Sequence, residues 1–132
     1  MAHSHTTVAV DVGEKRIGVA VVNSIARIAI PLTTLDAQDD ALQQVLAICK
    51  DHDAKTVVVG LPRNQSGEET AQSQVSRSFG SQLESHGLQV YYQDESLTSV
   101  AAEEELQRRK KPYVKADIDA LAAALILQDY VG

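Results

Sequence analysis

Three strand-like runs precede any helical pattern in this chain: Thr7 to Val12, Ile17 to Val22, and about Arg27 to Leu35. Their connections are short, which predicts an antiparallel meander. From Asp39 to His52 the period changes, with Leu42, Val45, Leu46 and Cys49 recurring every three or four residues, as on a helix buried along one side. TVVVGL, Thr56 to Leu61, is a β-branched run without polar alternation, the pattern of a strand covered on both faces, and Pro62 ends it. A second helix is expected from Ser66, where Ser66 and Glu69 fit an S-x-x-E capping box, to His86, with Gly87 as its stop. Leu88 to Gln93 is a further strand. Helices over about Thr98 to Arg109 and Ile118 to Val131 complete the chain.

The order βββαβαβαα implies an α/β protein with a mixed five-stranded sheet, three antiparallel N-terminal strands and helices on both faces. That is the arrangement of ribonuclease H-like folds. At 132 residues and 44% hydrophobic content, one core and one domain, residues 1–132, are expected. No apolar stretch approaches the roughly 20 residues of a membrane span, and MAHSH is not followed by a signal-like segment, so a cytoplasmic protein with no membrane partner is expected. The single cysteine, Cys49, reads as a buried, inert thiol, and the four histidines have no metal-ligand spacing.

If GEKR, Gly13 to Arg16, is the loop of the first hairpin, Val12 lies opposite Ile17, Asp11 opposite Gly18 and Ala9 opposite Ala20. One face then carries valines and Ile17. The other presents Asp11 over Gly18, Ala9 and Ala20, leaving open space in front of the carboxylate for a ligand, a metal or a closely packed helix. The plainer alternative is an aspartate that caps its own turn. In DESLTS, Asp94 to Ser99, adjacent carboxylates point to opposite sides of an extended chain, so one of them can face the same place as Asp11. In the final helix Asp117 fits a cap, while Asp119 shares a small-residue face with Ala122, Ala123 and Ile126 that should approach the sheet closely. A buried carboxylate needs a cation, a hydrogen bond or a raised pKa, and an ion pair with Lys15 or Arg16 is the simplest answer. Oxygen ligands gathered at one point suit Mg²⁺ or Mn²⁺, and two such ions about 4 Å apart can activate water and stabilise a leaving oxygen at phosphorus.

The formal charge of −6 argues against holding a polyanion by bulk electrostatics. It does not exclude nucleic acid, because carboxylate-bound cations can meet phosphate. The concentrated basic run is Arg108, Arg109, Lys110 and Lys111, which on composition alone reads as a solvated helix end.

DVGEKRIGVA, VVVGLP, DESLTS and DALAAALILQDY together resemble the YqgF, or RuvX-like, family of ribonuclease H-fold nucleases, in order and spacing over nearly the whole chain. The resemblance implies a metal-dependent endonuclease associated with maturation of the small-subunit ribosomal RNA precursor, or with Holliday junction resolution. It implies catalytic, metal-holding acids at Asp11, Glu95 and Asp119, with Asp94 and Asp117 as second-rank ligands and Mg²⁺ or Mn²⁺ as cofactor. Lys15, Arg16 and the run Arg108 to Lys111 become candidates for phosphate contact. A resolvase acting on two strands would want a two-fold homodimer. The chain departs from the family at Ser96, where an arginine is common, and in the loop RNQSGEE, where Arg63 and Glu68 alter the charge. Competing readings are a non-catalytic RNA-binding factor in ribosome assembly or transcription, and an actin-like kinase, for which the chain is too short.

Overall fold

The computed structural model describes residues 5–95 and 98–132. Nine elements follow in the anticipated order: β1 (Thr6–Val12), β2 (Arg16–Asn23), β3 (Ile30–Asp36), α1 (Ala41–Asp51), β4 (Ala54–Leu61), α2 (Ala71–Ser85), β5 (Gln89–Asp94), α3 (Thr98–Arg108) and α4 (Lys115–Val131). The sheet runs β3-β2-β1-β4-β5, antiparallel through the meander and parallel across β1-β4-β5. The first hairpin has the expected register, with Asp11 opposite Gly18 and Val12 opposite Ile17.

Side-chain alternation divides the apolar residues between two cores. Val8, Val10, Val19, Val57 and Val59 pack with Val45 and Leu83 under α1 and α2. Ala9, Ala20 and Val58 meet Ala122, Ala123 and Ile126 of α4 on the opposite face, where α3 packs outside α4. Cys49 is buried, and burial pushes its thiol up to about 11, which keeps it protonated and inert at neutral pH.

Several boundaries differ from the sequence expectation, among them the start of α4, at Lys115 rather than near Ile118, which puts Asp117 inside its first turn. Arg16 belongs to β2 rather than to the turn, which closes through the Gly13 N–H donating to the Arg16 carbonyl at 2.9 Å. β3 starts at Ile30, not near Arg27, because Gln128 takes the intervening backbone: Ala29 N–H donates to its Oε1 and its amide donates to the Arg27 carbonyl. The Ser66–Glu69 capping box does not form. Asn64 Oδ1 accepts from the Ser66 and Glu68 N–H groups instead, Glu69 pairs with Arg77, and α2 begins after Thr70, whose N–H donates to the buried Ser73 hydroxyl. Among the described residues no helix is long and apolar enough to cross a membrane.

Candidate active site

Asp11 and Arg16 project from the α4 side of the sheet because each is an odd number of residues from its neighbouring core valine or isoleucine. Gly18, on the same face, lets α4 approach until its main chain rests on β2: a Cβ at position 18 would overlap the Asp119 carbonyl oxygen. This contact delivers Asp119 to the end of β2, where Arg16 Nε donates to Asp119 Oδ2 at 2.5 Å. The strand parity selects Arg16 rather than Lys15 for that ion pair. Lys15 turns to the other side, beside Ile17 and Phe79 in a hollow of about 820 Å³ under α2.

Glu95 follows β5, which is an edge strand two places from β1. Its side chain must therefore cross β4. The crossing occurs at Gly60, where a Cβ would come 3.0 Å from Glu95 Oε2, and the carboxyl reaches Asp11 to share a hydrogen bond with it. Burial, this hydrogen bond and the Asp11 charge push Glu95 up to about 10. Asp11 is also raised, chiefly by burial and further by the Asp119 charge, while its hydrogen bond with Glu95 pulls the other way. The pair behaves as two carboxyls sharing one proton.

The three acids expected from the sequence thus line one hollow of about 440 Å³, together with Arg16, Arg63 and Gln72. Asp94 and Asp117 do not line it. Asp94 ends β5 opposite Leu61, and Asp117 accepts the Val114 N–H at 2.9 Å across the start of α4. Nor does the basic run reach it: Arg108 and Arg109 pair with Glu105, at 2.6 and 3.6 Å, and Arg109 and Lys111 line a separate groove. Ser96 lies outside the described residues.

Two participants were not expected from the sequence. Arg63 sits in the hollow at the head of a built loop: its backbone bridges to Glu69, Asn64 folds the turn, and Arg77 grips Glu69 by donating from Nε and Nη2, each at 2.7 Å. The Ser73 hydroxyl donates to the Pro62 carbonyl at 2.5 Å, fixing the point from which Arg63 emerges. Gln72 donates to the Val12 carbonyl at 2.7 Å and closes the hollow from α2. A cation two residues past the end of a parallel strand was the available signal for Arg63, since strand C-termini are where α/β sheets hold ligands.

The donor set fits a hard divalent cation in part. Asp11 and Glu95 offer only oxygen, and a cation would take the place of the proton they share. Asp119, however, is engaged by Arg16, and among the described residues no three His, Cys, Asp or Glu side chains converge closely enough to hold one ion.

A RuvX family profile, described as Holliday junction resolvase, matches residues 5–132. A protein of Chloroflexus aurantiacus named "Putative pre-16S rRNA nuclease" is 44% identical over 128 residues, covering 93% of this chain and 84% of its own. A Lactococcus lactis protein of the same name is 38% identical over 130 residues, covering 92% and 90%. Among solved structures, Thermus thermophilus RuvC with a Holliday junction substrate superposes with a TM-score of 0.57 at 18% identity, over 92% of this chain and 91% of that one. Fowlpox virus resolvase with Holliday junction DNA gives 0.60 at 11% identity, over 96% of each chain. These neighbours show the ribonuclease H-like fold of resolvases. Matched along its length by the family profile and by relatives of more than one third identity, the chain belongs to the RuvX family.

Proposed function

We propose that this chain is a metal-dependent endonuclease that hydrolyses phosphodiester bonds in structured nucleic acid, with the 5′ end of the 16S ribosomal RNA precursor as its main substrate and four-way DNA junctions as the alternative. The observation that carries this reading is the convergence of Asp11, Glu95 and Asp119, from a central strand, an edge strand's end and a helix, on one hollow that also holds Arg16 and Arg63. The names of the relatives supply the ribosomal direction, and the family description supplies the junction. A ribosomal precursor would place the work in the cytoplasm.

Asp11 and Glu95 would hold Mg²⁺ or Mn²⁺, with Asp119 completing the set after Arg16 releases it. When bound, such ions supply an activated water and neutralise charge at phosphorus. Arg16 then becomes free to meet a phosphate oxygen, as Arg63 is throughout, since no carboxylate within ion-pair distance holds it among the described residues. Lys15 and the Arg108–Lys111 run would add phosphate contacts outside the hollow that position the substrate without reading its sequence. The test compares wild type with Asp11→Asn on precursor ribosomal RNA and on a four-way DNA junction, in Mg²⁺ and in Mn²⁺. Equal cleavage by both proteins would sink the assignment.

A second reading, a non-catalytic RNA-binding factor, is favoured by one observation: Asp119 is already paired with Arg16, so the ligand set is incomplete as it stands. It predicts RNA binding that weakens when Arg108 to Lys111 are neutralised, with no cleavage in either metal.

A further inference from the structure

The basic run is divided by the fold. Arg108 is held by Glu105 at 2.6 Å, whereas the Arg109 contact to the same carboxylate is looser, at 3.6 Å. Lys110 adopts a left-handed conformation with φ of 56°, which turns the chain at the end of α3. Arg109 and Lys111 then line one groove of about 580 Å³ between β3 and the α3–α4 connection. Leu32, Ala116 and Leu121 give its lining an apolar part beside Thr33 and Thr34, and Tyr113 also lines it. The Tyr113 hydroxyl lies 3.4 Å from Gln107 Nε2 and 3.5 Å from Glu103 Oε2, both on α3. One carboxylate, Asp117, also lines the groove, but it is committed to the Val114 N–H.

The groove adjoins the acid hollow across the first turns of α4. Asp119 lies in the hollow, whereas Ala116 and Ala120 lie in the groove. Thr34 Oγ1 donates to the Ala116 carbonyl at 2.6 Å and ties β3 to this helix start. Along the α4 axis Ala120 follows Asp119 by one residue, about 1.5 Å, and Ala116 precedes it by three, about 4.5 Å.

We propose that this groove is a subsite for a single-stranded segment of the substrate next to the cut phosphate, with an unpaired base against Tyr113 and the apolar lining residues, and its phosphates at Arg109 and Lys111. The proposal rests on the nuclease reading and names the substrate feature that reading leaves open. Cations alone would suit a duplex backbone, but an aromatic ring and apolar lining residues gain nothing from one. An unpaired base has a free face to stack, and base–aromatic stacking tolerates any sequence. The volume falls within the roughly 300–1,000 Å³ range of small-ligand sites, enough for one or two nucleotides and too small for a helix.

The test is binding rather than cleavage, so it stands even if the nuclease assignment fails. Full-length Asp11→Asn protein is titrated, with chelator present, against a blunt RNA hairpin and the same hairpin with a single-stranded uridine tail of about six nucleotides. The readout is the ratio of the two affinities. Wild-type groove residues should give a ratio of about ten, one good stacking contact. Tyr113→Ala, and separately the pair Arg109→Gln with Lys111→Gln, should bring the ratio to about one, whereas Tyr113→Phe, which keeps the ring, should preserve it. A ratio near one with the groove intact, or a ratio unchanged by Tyr113→Ala and by the paired substitution, overturns the proposal.

Discussion

Glu95 lies across Gly60 and shares a hydrogen bond with Asp11, although their strands are separated by β4. The glycine makes this reach possible, and it also places the two carboxyls where both are raised. The consequences are measurable in the metal-free protein.

Both folded-state pKa values lie above the ordinary carboxylate range, with Glu95 at about 10. A raised acid favours the protonated, folded form. Its contribution is therefore complete below the unfolded value near 4.5 and is lost as pH rises towards 10. Thermal unfolding with chelator present should show a Tm that falls between pH 5 and 9 on the order of several degrees. Glu95→Gln should flatten the profile, and added Mn²⁺ should raise Tm more at pH 8.5 than at pH 6. A pH-independent Tm in chelator would contradict the shared-proton pair.

Removing the carboxylate at position 11 separates chemistry from folding. Asp11→Asn should lower cleavage by about a thousandfold, the several kcal/mol of charge stabilisation a bound ion supplies. The same change should leave the metal-free protein at least as stable as wild type at pH 8, because it removes a buried charge while leaving an amide oxygen to which the protonated Glu95 can donate. Cleavage rate and Tm measured on one preparation check both halves.

Arg16 and Asp119 form a partly exposed pair, so Arg16→Ala should cost about 1 kcal/mol or less in urea unfolding. Its functional effect should be opposite in two assays. Freed Asp119 should tighten Mn²⁺ binding, while the lost guanidinium should slow cleavage about tenfold or more. Weaker Mn²⁺ binding in the variant would show that the ion pair supports the metal site instead of competing with it.

How much of this was legible beforehand depended on whether each feature is local. The Asp11 register followed from alternation within one hairpin, and Asp119 from the small-residue face of one helix; both are properties of contiguous sequence. That Glu95 must cross β4 was not legible, because β5's edge position depends on pairing between segments far apart in the chain. The start of α2 was misplaced for a different reason. Ser66 fits a cap as well as Thr70 does, but Asn64 captures its N–H, and the burial of Ser73, which decides the outcome, is a tertiary fact. Arg63 stands out in the sequence only as a change of loop charge, because nothing in RNQSGEE shows that the loop brings it to the hollow of the acids.

The two close-contact glycines should respond differently to alanine. At Gly60 the new methyl meets the ends of two side chains, Ile126 Cδ1 at 2.7 Å and Glu95 Oε2 at 3.0 Å, which can move. Gly60→Ala should cost about 1–2 kcal/mol while displacing Glu95 enough to impair cleavage. At Gly18 the obstacle is main chain, and Gly18→Ala should cost about 3 kcal/mol or prevent folding. Denaturant midpoints and cleavage rates of the two variants distinguish the cases.

Because α4 meets β2 backbone to backbone at Gly18, the position of Asp119 is referenced to peptide groups, whose dimensions do not change with sequence. Apolar side chains elsewhere in the interior are then free to drift over evolutionary time without dragging the acid off its mark. A conservative exchange such as Leu127→Ile, deep in the α4 core, should lower stability by about 1 kcal/mol and leave the cleavage rate of the folded fraction unaltered. Geometry pinned in this way makes the chemistry robust to change in everything except the glycine that sets it.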